Sequence, residues 1–204
     1  MTGNVSLDIS IYGLWNSWLR FSRGKRRTLE FDTFAYNIES ELFALEQELA
    51  DKMYHHGGYT TFVVSDRKKR TVSVASIRDR VVHRLLYDYL VFCFDHTFIY
   101  DAWSCRTGKG LLGAIERAQQ FVQSFPNGFV WRSDIRKFFD TVSHETLLSL
   151  LPRRIKDPIA LSLANEIVSS YSTTDVQKWP GGGRRCWLAN WQCDESGICK
   201  HISQ

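Results

Sequence analysis

Apolar positions recur along this chain with two periods, and the switches between them outline its elements. Over residues 11–21 Trp15, Trp18 and Phe21 stand at helical spacing, which predicts a helix whose rings pack into a core. Over 34–53 Ile38, Leu42, Leu45 and Leu49 share one helical face, and His55-His56-Gly57-Gly58 ends that pattern. Residues 60–64 and 71–75 are β-prone, and Asp66-Arg67-Lys68-Lys69 between them reads as a hairpin turn. A long helix is expected over 77–94. Gly108-Lys109-Gly110 is a turn that opens a helix over 111–125, and Pro126-Asn127-Gly128 is a second turn. Residues 129–134 read as a short apolar strand ending on a carboxylate. Helices follow over 143–151 and 158–171. The pattern has no internal repeat and no low-complexity linker. It predicts an α+β fold with a helical N-terminal region, 1–56, followed by a mixed region, 57–172.

Charge adds a direction to this picture. Lys and Arg number 26 against 22 Asp and Glu, a mild excess, but its distribution is uneven. Between Ser65 and Arg84 lie Arg67, Lys68, Lys69, Arg70, Arg78, Arg80 and Arg84, opposed only by Asp66 and Asp79. A concentrated positive surface suits a polyanionic partner; a solvated charged face is the competing explanation. A further basic run, Arg23-Gly24-Lys25-Arg26-Arg27, follows the first helix. No apolar run approaches the ~20 residues that cross a bilayer, and the first ten residues lack the basic-then-apolar order of a signal peptide. The expectation is a cytoplasmic protein with no membrane partner. Five cysteines, an odd number, do not form a secreted disulfide framework.

The candidate chemistry lies in Ser133-Asp134-Ile135-Arg136-Lys137-Phe138-Phe139-Asp140-Thr141-Val142-Ser143-His144. Enzymes that join nucleotides use divalent metals bridging the attacking hydroxyl and the triphosphate. Mg2+ takes hard oxygen ligands, from carboxylates and backbone carbonyls. A carboxylate at the end of a buried strand is such a ligand, although a lone Asp after a strand is more often a turn former or a helix cap. Asp140 and His144 suit holding the turn and capping the next helix.

The wider pattern Asp-Ile-x-x-Phe-Phe-Asp-x-Val-x-His resembles the first catalytic motif of reverse transcriptases related to retrons, group II introns and diversity-generating retroelements. Upstream, in order, Asp66 to Val72 resembles that family's basic fingers hairpin, Ile77 to His83 its helix after the fingers, and Phe98 to Gly110 its entry into the palm. The resemblance covers most of residues 15–171. It implies fingers and a partial palm within an incomplete right-hand polymerase fold, and an RNA-directed DNA polymerase extending a DNA primer on an RNA template with dNTPs and Mg2+. It makes Asp134 the first catalytic metal ligand, with the carbonyl of Ile135 beside it. Lys68 and Arg70 would grip the triphosphate, and Phe139 would pack under the incoming sugar. Arg67, Lys69, Arg78, Arg80, Arg84 and Lys109 would face nucleic acid. For Arg78 and Arg80, contact with the template backbone and pairing with Asp79 and nearby acids stand as equal alternatives. For Lys109, helix-opening anion contact and a plain exposed turn do so.

The last residues, 173–204, depart from the family. The chain contains no Asp-Asp pair, so the aromatic-x-Asp-Asp turn that completes the family's metal site is missing. Trp187 to Gln204 does not match the segment expected before that turn. Back-translated with free choice of synonymous codons and read one base later, however, it gives Gly-Leu-Pro-Ile-Gly-Asn-Val-Thr-Ser-Gln-Val-Phe-Ala-Asn-Ile-Tyr-Leu, which resembles that segment. In each shifted codon only the middle base is free. The expectation is a frame slip within 173–186, an out-of-frame and poorly ordered tail, and a fragment inactive by itself. Cys186, Cys193, Cys199 and His201 lack a Cys-x-x-Cys pair, so a zinc module is not expected. The alternative function is a non-catalytic nucleic-acid-binding fragment.

Overall fold

The computed structural model describes residues 5–65, 69–135 and 142–171, with the backbone alone at Lys69 and Arg70. Its elements, in order, are α1 (Ile11–Ser22), α2 (Leu29–Tyr36), α3 (Ile38–Ala50), β1 (Tyr59–Ser65), β2 (Lys69–Ala75), α4 (Ile77–Phe94), α5 (Leu111–Ser124), α6 (His144–Leu150) and α7 (Pro158–Ser170). The described residues are mostly helical with one two-stranded antiparallel sheet, so the α+β character holds at that level.

Local chemistry sets most boundaries. Ser10 caps α1 by accepting the Gly13 N–H, and Thr28 caps α2 by accepting that of Phe31 at 3.2 Å. The single helix expected over 34–53 is two helices. Its break is Asn37, whose backbone N–H and side-chain amide both donate to the Thr33 carbonyl, each at 3.2 Å. Asn competes for backbone groups in this way and therefore favours helix ends. Beyond Ala50 the chain turns through Lys52, which takes φ 57°, and Met53 N–H returns to the Glu48 carbonyl at 2.8 Å. This is the left-handed C-terminal closure that glycine usually supplies.

The core gathers where α1 crosses α4 and α2, α3 and α7 pack around them. Leu14, Leu45, Val81, Val82, Ile155 and Ile167 are fully buried there. Trp18 stacks on Phe31 at 5.0 Å and lies 5.2 Å from Phe34. The ring expectation for α1 needs one correction: Trp18 and Phe21 are buried, but Trp15 is 41% exposed. The buried stripe is Leu14, Ser17, Trp18 and Phe21, the three-four spacing of one helix face, and Trp15 falls beside it. Asp157 caps α7 through the Ile159 and Ala160 N–H groups at 2.7 and 3.1 Å, and its other oxygen accepts the Leu7 N–H at 2.6 Å.

The hairpin pairs from Tyr59↔Ala75 to Ser65↔Lys69. The strand expected over 129–134 does not form: residues 129–135 belong to no helix or strand and are exposed. A strand that is apolar on both faces needs neighbouring strands and covering layers, and the described residues supply neither. No helix among the described residues is long and apolar enough to cross a membrane.

Candidate nucleic-acid interface

The start of α4 is fixed from three sides. Ser76 accepts the Asp79 N–H at 3.1 Å and donates its hydroxyl to Asp79 Oδ2 at 2.7 Å, a reciprocal cap. The Tyr54 hydroxyl donates to Asp79 Oδ1 at 2.7 Å. Burial, followed by the Asp79 charge and this hydrogen bond, pushes the Tyr54 phenol far above its ordinary range. Alongside, His56 Nε2 lies 2.9 Å from His83 Nε2, so one ring donates and the other accepts, and His56 stacks on Tyr59.

With Asp79 held by these hydroxyls, the arginines around it find other partners or none. Arg78 pairs with Glu48 at 2.7 Å and Glu41 at 3.4 Å. Arg84 grips Asp88 with two nitrogens, at 2.9 and 3.2 Å, and Arg20 reaches the same carboxylate at 3.1 Å. Arg80 differs. Its guanidinium lies 5.2 Å from the centre of the Phe21 ring, and its Nε is buried with no hydrogen-bond acceptor. Burial lowers its affinity for the proton, partly offset by the charge of Glu30.

Lys25 approaches the same Phe21 ring, with Nζ 5.6 Å from its centre. Gly24, at φ 71°, turns the chain out of α1 and sets Lys25 there. Burial, then the charges of Arg80 and Arg84, bring the Lys25 ammonium down from 10.5 to about 8. Among the described residues neither Lys25 nor Arg80 makes an ion pair. Between them opens a cleft of about 310 Å³, whose lining includes Phe21, Thr28, Glu30, Phe62 and Val74. It sits where the α1–α2 loop, the base of the hairpin and the start of α4 meet. Sequence reasoning noted the basic run at 23–27 but nominated none of its residues. The signal was a glycine-led cation directly after a helix rich in aromatics.

Of the remaining expected site residues, the described ones do not converge on this cleft. Lys109 folds back onto the Tyr100 carbonyl and lies over the Tyr100 and Trp103 rings, at 3.6 and 4.3 Å. Nearby, Arg106 binds Asp95 and Arg117 binds Asp101; these hydrogen bonds hold both carboxyls below their usual range. Asp134 and Ile135 are exposed on the irregular stretch after α5. Ser143 caps α6 by accepting the Thr146 N–H at 3.3 Å, whereas His144 is its first helical residue. Arg67, Lys68, Phe139, Asp140 and the whole of 173–204 lie outside the described residues. Among the described residues no three His, Cys, Asp or Glu side chains gather so as to hold a metal ion. Asp134 with one carbonyl does not make up a Mg2+ site, and no catalytic step can be derived through one.

No family model matches the chain. It is similar to the COX1/OXI3 intron 2 protein of Saccharomyces cerevisiae, with 31% identity over 88 residues. That match takes in 43% of this chain and 10% of the yeast protein, so the chain spans a small part of its relative's length. The similarity is distant and partial, and it joins this chain to an intron protein.

Proposed function

We propose that this chain is the fingers-bearing part of a reverse-transcriptase-type polymerase. It binds the backbone of an RNA template, alone or paired with a DNA primer, through the hairpin and the start of α4. The observation that carries this reading is the cleft at the base of the hairpin. There two cations, Lys25 and Arg80, face one ring without a carboxylate partner, while Arg78 and Arg84 beside them are paired. The antiparallel hairpin followed by a capped helix agrees with the order of the resembling motifs, and the partial likeness to an intron protein points the same way.

In this reading Lys68 and Arg70 on the hairpin meet the triphosphate of a dNTP, and Phe139 lies under its sugar. Asp134 and the Ile135 carbonyl contribute to a Mg2+ site whose other carboxylates these 204 residues do not contain as an Asp-Asp pair. The polypeptide therefore binds without polymerising.

Fluorescence anisotropy with a labelled RNA and an RNA–DNA hybrid tests this. Binding should weaken steeply with salt, because each neutralised phosphate releases counterions. A wild-type chain that binds neither at low salt would overturn the reading. Primer extension on an RNA template with Mg2+ should give no incorporation; synthesis that disappears in Asp134→Ala would show a complete active centre instead.

A further inference from the structure

We propose that the cleft between the α1–α2 loop and the start of α4 seats one backbone phosphate of a bound nucleic acid, with Lys25 and Arg80 as its ligands. The proposal rests on the nucleic-acid reading above and assigns it a specific contact.

Two cations held against the same Phe21 ring repel each other, and both have lost part of their hydration. Aromatic faces attract cations, but one ring at 5.2 and 5.6 Å does not supply hydrogen-bond acceptors. The buried Arg80 Nε has none, and an unmet buried donor is costly. Glu30, a carboxylate that also lines the cleft, is committed on one oxygen to the Ile77 N–H at 2.8 Å. An anion entering the cleft would satisfy Arg80, relieve the repulsion and restore acceptors to Lys25. Phosphate suits these ligands: guanidinium offers a planar fork to its oxygens and ammonium a point charge.

The surroundings favour a nucleic-acid phosphate. The cleft is lined on one side by Phe62 and Val74 of the hairpin, an apolar wall beside which a ribose or base can lie. Exposed Arg23 and Arg26 continue the positive surface along the α1–α2 loop. A chain of phosphates running from the hairpin to that loop would pass the cleft.

The test compares two neutralising variants from the same loop. Lys25 faces the cleft, whereas Arg27 points to Asp32 at 3.7 Å. With a 12-nucleotide single-stranded RNA, Lys25→Gln should weaken binding about tenfold at low salt, the weight of one charge-assisted hydrogen bond. It should also reduce the slope of log affinity against log salt by about 0.7. Arg27→Gln should stay within about twofold, and Lys25→Arg should restore most of the affinity. Independently, NMR of the lysine side chains should show inorganic phosphate raising the Lys25 titration midpoint. RNA binding by the wild type with equal effects of Lys25→Gln and Arg27→Gln would overturn this site and leave the general reading intact. Absence of RNA binding by the wild type would overturn that reading. Lys25-dependent binding to phosphatidylglycerol vesicles, with none to RNA, would assign the cleft to a lipid headgroup and overturn the proposal.

Discussion

The Tyr54 hydroxyl donates to Asp79 across 2.7 Å, joining the loop before the hairpin to the helix after it. Both residues are buried, and no arginine takes part in the contact. Tyr54→Phe removes one of the two hydroxyls that satisfy the carboxylate. Loss of a hydrogen bond to a buried charge costs about 1.5–3 kcal/mol, so chemical denaturation should show a loss of that size. In an alkaline titration followed by tyrosinate absorbance, Tyr54 should be among the last phenols to ionise. Its early ionisation would mean that the contact is open in solution.

Gly57 lies against the same carboxylate. A Cβ placed there would meet Asp79 Oδ2 at 2.8 Å, whereas at Gly58 it would meet open space. Because Ser76 and Tyr54 hold Asp79 in place, the oxygen cannot swing aside. Gly57→Ala should therefore lower the melting temperature by several degrees, the effect of about 1–3 kcal/mol of overpacking in a domain of this size. Gly58→Ala should leave it nearly unchanged. Equal effects of the two would refute the close approach.

Lys25 gives stability an unusual slope with pH. Its folded-state value, about 8, lies below the ordinary 10.5, so between those limits the unfolded chain binds more protons. Stability then rises with pH across that window. The Tyr54, Tyr87 and Tyr89 phenols act oppositely: burial raises each, Tyr89 to about 12, so folding loses support once unfolded tyrosines ionise near 10. Urea midpoints should climb from pH 8 towards 10 and then fall. In Lys25→Met the climb should flatten. Because Lys25 is only partly buried, solvent screening keeps the rise small.

The fold was legible where local rules and packing agree. The start of α4 follows from Ser76 and Asp79, whose reciprocal cap is written three residues apart. The hairpin follows from two β-prone runs. The break at Asn37 was not legible, because Ile38 to Leu49 continues an apolar face that masks it. The exposure of Trp15 escaped for a similar reason: spacing relates positions to one another, not to the core. The strand expected before Asp134 needs partners that no local signal supplies. The cleft escaped altogether, because Phe21, Lys25 and Arg80 meet only when α1 crosses α4.

The frame-slip expectation is tested by the coding nucleotides. The shifted segment requires GCC for Ala189, GAC for Asp194 and ATA for Ile202. Sequencing that finds other synonymous codons there would end the idea. With those codons in place, the alternate frame should run on to an aromatic-x-Asp-Asp motif within roughly a hundred residues, well inside one domain.

The bond from the Leu7 amide to Asp157 spans 150 positions of chain. During synthesis α1 to α4 leave the ribosome long before their last packing partners, Ile155 and Ile167, are made. Until then Leu14, Leu45 and Val81 have an open side, and the nascent chain carries a sticky apolar surface. Once Ile167 has emerged, that surface can close. A change of reading frame within 173–186 would come too late to prevent it. A ribosome that stops before 155 would release a chain prone to aggregate, whereas one that misreads after 172 would already have made every residue of this cluster.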